Sequence, residues 1–156
     1  MPRAKDNGDN NKSLWFWQFE AALKKRFVDH DSLIADALAF VGEFAGAAGL
    51  TSSPQNKLAL IVEELVTNIV NHGELGPEGF VELELVTGNM GIEVDVLDSG
   101  TAFDPISDAP EDDRHKPVEE RRIGGLGWPL IREMSTDLVY ERMDNTNRLR
   151  FRLILS

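Results

Sequence analysis

Residues 63–73 read Glu63-Glu64-Leu65-Val66-Thr67-Asn68-Ile69-Val70-Asn71-His72-Gly73. They are the second half of a segment in which Ser53 sits where an N-cap belongs, Pro54 suits the first helical position, and Gly73 is placed to end a helix of about five turns. On a wheel of about 100° per residue, Leu58, Val62, Leu65, Val66 and Ile69 fill a broad apolar face. Glu64, Thr67, Asn68 and Asn71 line up on the other side at helical spacing. This polar stripe occupies only the second half, because Leu60 and Ile61 take nearly the same angular position one turn earlier. A merely solvated face would carry Lys, Arg and more Glu, whereas Thr and Asn are mediocre helix formers whose presence costs propensity. Glu64 and Asn68, one turn apart, place a carboxylate and a neutral amide oxygen about 6 Å from each other on one surface. The amide oxygen suits a Mg²⁺ that otherwise binds phosphate and water oxygens, and the carboxylate suits taking a proton from an attacking hydroxyl. Glu63 points about 100° away and is the poorer candidate for either role.

Two further elements lie downstream. Val81, Leu83 and Leu85 alternate with Glu82 and Glu84, residues 88–91 turn, and Ile92, Val94 and Val96 alternate with Glu93 and Asp95, which reads as a β-hairpin. The hairpin ends on Asp98-Ser99-Gly100, a carboxylate leaving a strand beside a residue without a side chain. Alone, Asp-x-Gly is a common turn. A long acidic, proline-containing stretch from Asp104 to about Arg122 follows, with the length and composition of a functional lid. It runs into Gly124-Gly125-Leu126-Gly127 and a short helix bearing Leu130, Ile131 and Met134. Glycines before a helix N-terminus expose backbone N–H groups at the positive end of the helix dipole, a phosphate site in principle. The run has neither the Gly-Lys-Ser/Thr of a Walker A loop nor the glycine spacing of a dinucleotide fingerprint.

Strands are expected at Leu138 to about Met143 and at Leu149-Phe151-Leu153, which alternate with Arg148, Arg150 and Arg152, with residues 144–147 turning the chain between them. Upstream, Leu33, Ile34, Ala37, Leu38, Val41, Phe44 and Ala45 predict an amphipathic helix ending near Gly46 or Gly49. Phe19 to Val28 fits neither period cleanly, with strand preferred over a helical lead-in. The aromatic cluster Leu14 to Phe19 is expected to cover the protein's own core rather than a partner or membrane, and residues 1–13 read as a disordered leader to a single domain over 14–156. The order of elements favours an α+β fold: a two-layer α/β sandwich whose sheet is mixed and mainly antiparallel, with helices on one face.

At 156 residues the chain can bury a core without staples, and it has no cysteine. A formal net charge of -11 disfavours direct nucleic-acid binding, and suits either solubility alone or a basic protein partner. No apolar run is long enough to span a bilayer and the N-terminus is unlike a signal peptide, so a soluble cytoplasmic protein is expected.

Taken together and in this order, the three motifs resemble the Bergerat (GHKL) nucleotide fold of gyrase, MutL and histidine kinases. Within it, the chain most resembles the anti-sigma factor serine/threonine kinases over about Ser32 to Leu155. "EELVTNIVNHG" is similar to their N box, "VLDSGTAFDP" to the first glycine box and "ERRIGGLGWPLIREMSTDLVYER" to the second. The resemblance implies ATP and Mg²⁺ as cofactors, with Glu64 as general base and Asn68 on the metal. It implies Asp98 as acceptor of the adenine amino group, Gly100 as the residue that lets the base lie close, and Gly124, Gly125, Leu126 and Gly127 along the phosphates. Asn71, Phe103 and Asn147 complete the implied nucleotide contacts, and His72, Arg121 and Arg122 are open between phosphate contact and plain packing or solvation. Three positions depart from the common pattern: Thr101-Ala102-Phe103 after the first box, Trp128 after the glycines, and Asn147 where a Thr is often found.

The function so implied is transfer of the γ-phosphate of ATP to a serine of an anti-anti-sigma (STAS) partner by a homodimeric regulator that also sequesters a sigma factor. A non-catalytic nucleotide-binding switch is the alternative. The catalytic half of a histidine kinase fits less well, since His30 has too little chain before it for a phospho-accepting helical hairpin.

Overall fold

The computed structural model describes residues 17–88, 91–108, 115–117, 119 and 127–154. Five strands form one sheet: β1 (Ala22–Phe27), β2 (Val81–Gly88), β3 (Gly91–Asp98), β4 (Ser135–Met143) and β5 (Thr146–Ile154), in the order β1-β2-β3-β5-β4. Helices α1 (Leu33–Ala48) and α2 (Ser52–His72) join β1 to β2, while α3 (Pro105–Asp108) and α4 (Gly127–Met134) lie between β3 and β4. Every neighbouring pair is antiparallel, in keeping with the expected α+β sandwich and its mainly antiparallel sheet. The reason lies in the connections: two are tight hairpins, and the β1–β2 link uses two helices, so the chain returns running the opposite way.

Period-2 alternation sorts the sheet into two faces. Val81, Leu83 and Leu85 on β2, Ile92, Val94 and Val96 on β3, and Leu149, Phe151 and Leu153 on β5 are all buried, and join Leu33, Phe40, Val41 and Phe44 of α1 and Leu58, Ile61, Val62, Leu65 and Val66 of α2 in one core. Each such side chain contributes roughly 1.5–3 kcal/mol on leaving water. The opposite face is a lattice of charge. Lys24 and Arg26 reach Glu82 at 3.3 and 2.9 Å, Arg148 binds Asp95 through two nitrogens, and Arg150 and Arg152 reach Glu141 and Glu93. Half-exposed pairs of this kind stabilise only modestly, but a one-residue slip in register would drive them into the core.

Local chemistry accounts for the element ends. Gly49 closes α1 in the left-handed region (φ 64°), and a Cβ there would lie 2.8 Å from that of Gln18. The segment before β1 docks on this helix end, with Gln18 and Phe19 both donating to the Ala48 carbonyl. Trp17 is buried in the core as expected of the aromatic cluster, whose residues 14–16 lie outside the described set.

Helix α2 starts two residues earlier than expected: Thr51, not Ser53, is the extended residue before it, and Thr51 makes no side-chain cap. Proline is tolerated throughout a first turn because no N–H there has an intrahelical partner, so Pro54 marks the turn and not the position within it. The β4–β5 turn is likewise shorter than expected. Asp144 and Asn145 alone turn, both with positive φ, and Asn147 already belongs to β5.

Candidate functional site

Asp98 ends the inward-facing row Ile92, Val94, Val96 on β3, and it is only 7% exposed. A carboxylate so placed must find hydrogen bonds. Its Oδ1 accepts from the Gly100 backbone N–H at 2.9 Å and from Asn147 Nδ2 at 3.0 Å. Its Oδ2 receives no hydrogen bond among the described residues. Burial pushes the Asp98 carboxyl above its ordinary value, while Asn147, Gly100 and the nearby Arg142 partly offset that. The site therefore holds a carboxylate with one oxygen tied down and the other free to accept from a ligand's N–H or O–H.

Gly100 locks this corner to the end of α2. A Cβ at Gly100 would fall 2.7 Å from the Gly73 carbonyl oxygen and 3.1 Å from the Gly73 Cα, so no larger residue fits without moving backbone. Thr101 donates its N–H to that same carbonyl at 2.8 Å. The helix bearing Glu64 and Asn68 is thus fastened, through the Gly73 that caps its end, to the loop that follows Asp98. Ser99 braces the other side: its hydroxyl accepts from Phe80 N–H, and its N–H donates to Phe80 O.

Along α2, Glu64 and Asn68 are both half-buried while Glu63 is exposed, in line with the wheel. Among the described residues neither Glu64 nor Asn68 has a hydrogen-bond or ion-pair partner. Burial, and secondarily the charge of Glu63, holds the Glu64 carboxyl above its ordinary value, which makes it a better base than a solvated glutamate. Thr67 is half-buried on the same side, and Asn71 and His72 at the helix end are exposed. Helix α4 packs beside α2 and buries Trp128 and Ile131. Its first residue is Gly127, directly after the glycine run. Gly124, Gly125 and Leu126 lie outside the described residues, as do Arg121 and Arg122.

Phe103 is exposed at the root of the expected lid, of which α3 is the described helical part. Sequence reasoning missed two residues here. Arg142 donates to the Gly100 carbonyl at 2.8 Å, and the Tyr140 hydroxyl donates to Asn147 Oδ1 at 2.6 Å. Both lie on the inner face of β4, and Arg142 sits directly across from Asn147, which in turn sits directly across from Asp98. Alternation along β4 was available as a signal, but it becomes informative only once the register between strands is known.

Among the described residues no group of three or more His, Asp or Glu could by itself hold a metal ion. The donor set suits a hard cation that draws most of its shell from phosphate and water, with the Asn68 amide oxygen as protein ligand. No described helix is long and apolar enough to cross a membrane.

Residues 28–153 match the family model of the histidine kinase-like ATPase domain. Among solved structures the chain is similar to the nucleotide-free catalytic domain of histidine kinase ThkA, at 14% identity over 85% of this chain and 95% of that one, with a TM-score of 0.46. No curated protein matches it in sequence. With residues 28–153 of the 156 covered by the family model, the chain belongs to the histidine kinase-like ATPase domain family.

Proposed function

We propose that this protein is an ATP-dependent serine kinase of the anti-sigma type, which phosphorylates an anti-anti-sigma (STAS) partner and, as a homodimer, sequesters a sigma factor. The observation that carries the reading is the half-buried, unpartnered Glu64 with its raised pKa, set one helical turn from Asn68 on the helix that ends at the Asp98 corner. The open Oδ2 of Asp98 accepts the amino group of adenine, and Gly100 leaves room for the ring. From Gly73 back to Glu64 the helix rises about 13 Å, so a nucleotide seated at Asp98 extends its phosphates along α2 towards Asn68 and Glu64. Backbone N–H groups at the start of α4 face the same phosphates.

Asn68 would hold Mg²⁺, which would supply charge neutralisation at the phosphates. Glu64 takes the proton of the partner's serine hydroxyl as its oxygen bonds to the γ-phosphorus. The bond from that phosphorus to the bridging oxygen breaks, and ADP leaves carrying the electron pair. Positioning and electrostatics account for most of the acceleration in such transfers.

The test is incubation of the purified protein with labelled ATP and candidate STAS partners. Phosphoserine on the partner is expected, and Glu64→Gln should still bind ATP while transfer falls by about 10²-fold or more. Transfer by Glu64→Gln at the parent rate overturns the base assignment. Nucleotide binding with no transfer to any partner favours a switch that uses ATP only to order its surface.

A further inference from the structure

Asn147 stands beside Asp98 with both of its amide hydrogens engaged within the protein. Its Nδ2 has two hydrogens, and they go to Asp98 Oδ1 at 3.0 Å and the Thr101 carbonyl at 2.8 Å, with the Gly100 carbonyl at 3.5 Å sharing them. All three are acceptors, so the NH₂ end must face them. That leaves Oδ1 to face Tyr140, whose hydroxyl donates to it at 2.6 Å. The Phe103 backbone N–H in turn bonds to the Tyr140 oxygen. The result is a continuous chain: Phe103 N–H to Tyr140 hydroxyl, Tyr140 to Asn147, and Asn147 to both Asp98 and the Thr101 carbonyl.

From this chain we infer that Tyr140 and Asn147 are positioning residues that set nucleobase specificity. They hold Asp98 with Oδ1 occupied and Oδ2 presented, and they pin residues 101–103, the root of the lid segment, in the same act. Asn147 is buried and both of its amide hydrogens go to protein acceptors, so its part is to orient Asp98 and not to donate to the base. A carboxylate fixed in this way accepts from an exocyclic amine, as in adenine, and repels the carbonyl oxygen that guanine carries at the same place. Without the Tyr140 hydroxyl the Asn147 oxygen loses its donor, and the amide that steadies Asp98 is held from its Nδ2 side alone. The inference rests on the reading of Asp98 as the base acceptor.

The experiment is calorimetric titration of ATP and GTP into the full chain and three variants, with thermal unfolding as a check on folding. Asp98→Asn should lose ATP affinity. Tyr140→Phe should weaken ATP about three- to tenfold while GTP changes little, so that discrimination shrinks. Asn147→Asp puts a second carboxylate against Asp98, with Arg142 and Asp104 the other charged groups near Asp98 and Tyr140. At neutral pH it should bind ATP poorly. As pH falls and the pair takes up one proton, the shared proton can restore the lost hydrogen bond and binding should recover, which a purely structural defect would not do. If Tyr140→Phe and Asn147→Asp bind both nucleotides like the parent, or lose both equally at every pH while Asp98→Asn selectively loses ATP, the inference is wrong and the Asp98 reading stands. If Asp98→Asn binds ATP like the parent, the reading and the inference fall together.

Discussion

Replacing Gly100 by alanine tests the junction on which the site depends. Gly100 has no positive φ, so alanine suffers no backbone strain of its own, and the whole effect must come from what its methyl meets. It meets the Gly73 carbonyl oxygen at 2.7 Å, Asp98 Oδ1 at 2.8 Å and the Gly73 Cα at 3.1 Å. Two of these three are backbone atoms at the end of α2 and cannot swing aside, so the loop and the helix must separate. Overpacking of this kind costs about 1–3 kcal/mol, and loss of the Thr101 N–H bond to the Gly73 carbonyl adds about 1 kcal/mol. For a domain of this size, a loss of 2–4 kcal/mol lowers Tm by roughly 4–16 °C. Nucleotide affinity should fall further than stability, because the shift moves Asp98 relative to the phosphate-facing end of the site. Denaturant unfolding and ATP titration measure the two, and Gly76→Ala, where a Cβ meets nothing within 4 Å, is the control. A Gly100→Ala protein with parental stability and parental ATP affinity would refute the claim that this glycine fastens α2 to the Asp98 corner.

Other predictions are simpler. On the proposed reading Asp98 accepts from the base as the carboxylate, and burial raises its pKa above the ordinary value, so ATP affinity should drop on acidification at a pH higher than an ordinary aspartate would give. Its contribution to folding has the opposite sign: it is present below pH 3.8 and is lost as pH rises through the raised value, so Asp98→Asn should flatten both dependences, as titration and unfolding across pH will show. Gly42 lies exposed in the middle of α1 with nothing within 4 Å of a built Cβ, and Gly42→Ala should stabilise by about 0.5–1 kcal/mol in denaturant unfolding with ATP affinity unchanged.

The amino-acid sequence alone determined the elements and the kind of chemistry. The apolar row of Leu58, Val62, Leu65 and Val66 forces one face of α2 inwards whatever it packs against, and Glu64 and Asn68 then follow on the other side because helical geometry is local. The alternation in β2, β3 and β5 is equally local, whereas the sequence left the end of α1 between Gly46 and Gly49 and the β4–β5 turn two residues too long. The choice between a mixed and a fully antiparallel sheet was not legible, since the order β1-β2-β3-β5-β4 depends on which strands meet across long loops. Nor was the role of Asn147. Sequence places it in the last hairpin, but only the register that sets it between Asp98 and Arg142, with Tyr140 of β4 closing on it, shows that both of its amide hydrogens are used within the protein. Spacing along a chain fixes which side chains share a face within one element. Which atoms of different elements come within 3 Å of each other is decided by packing, and the environment of the Asp98 carboxylate is of that second kind.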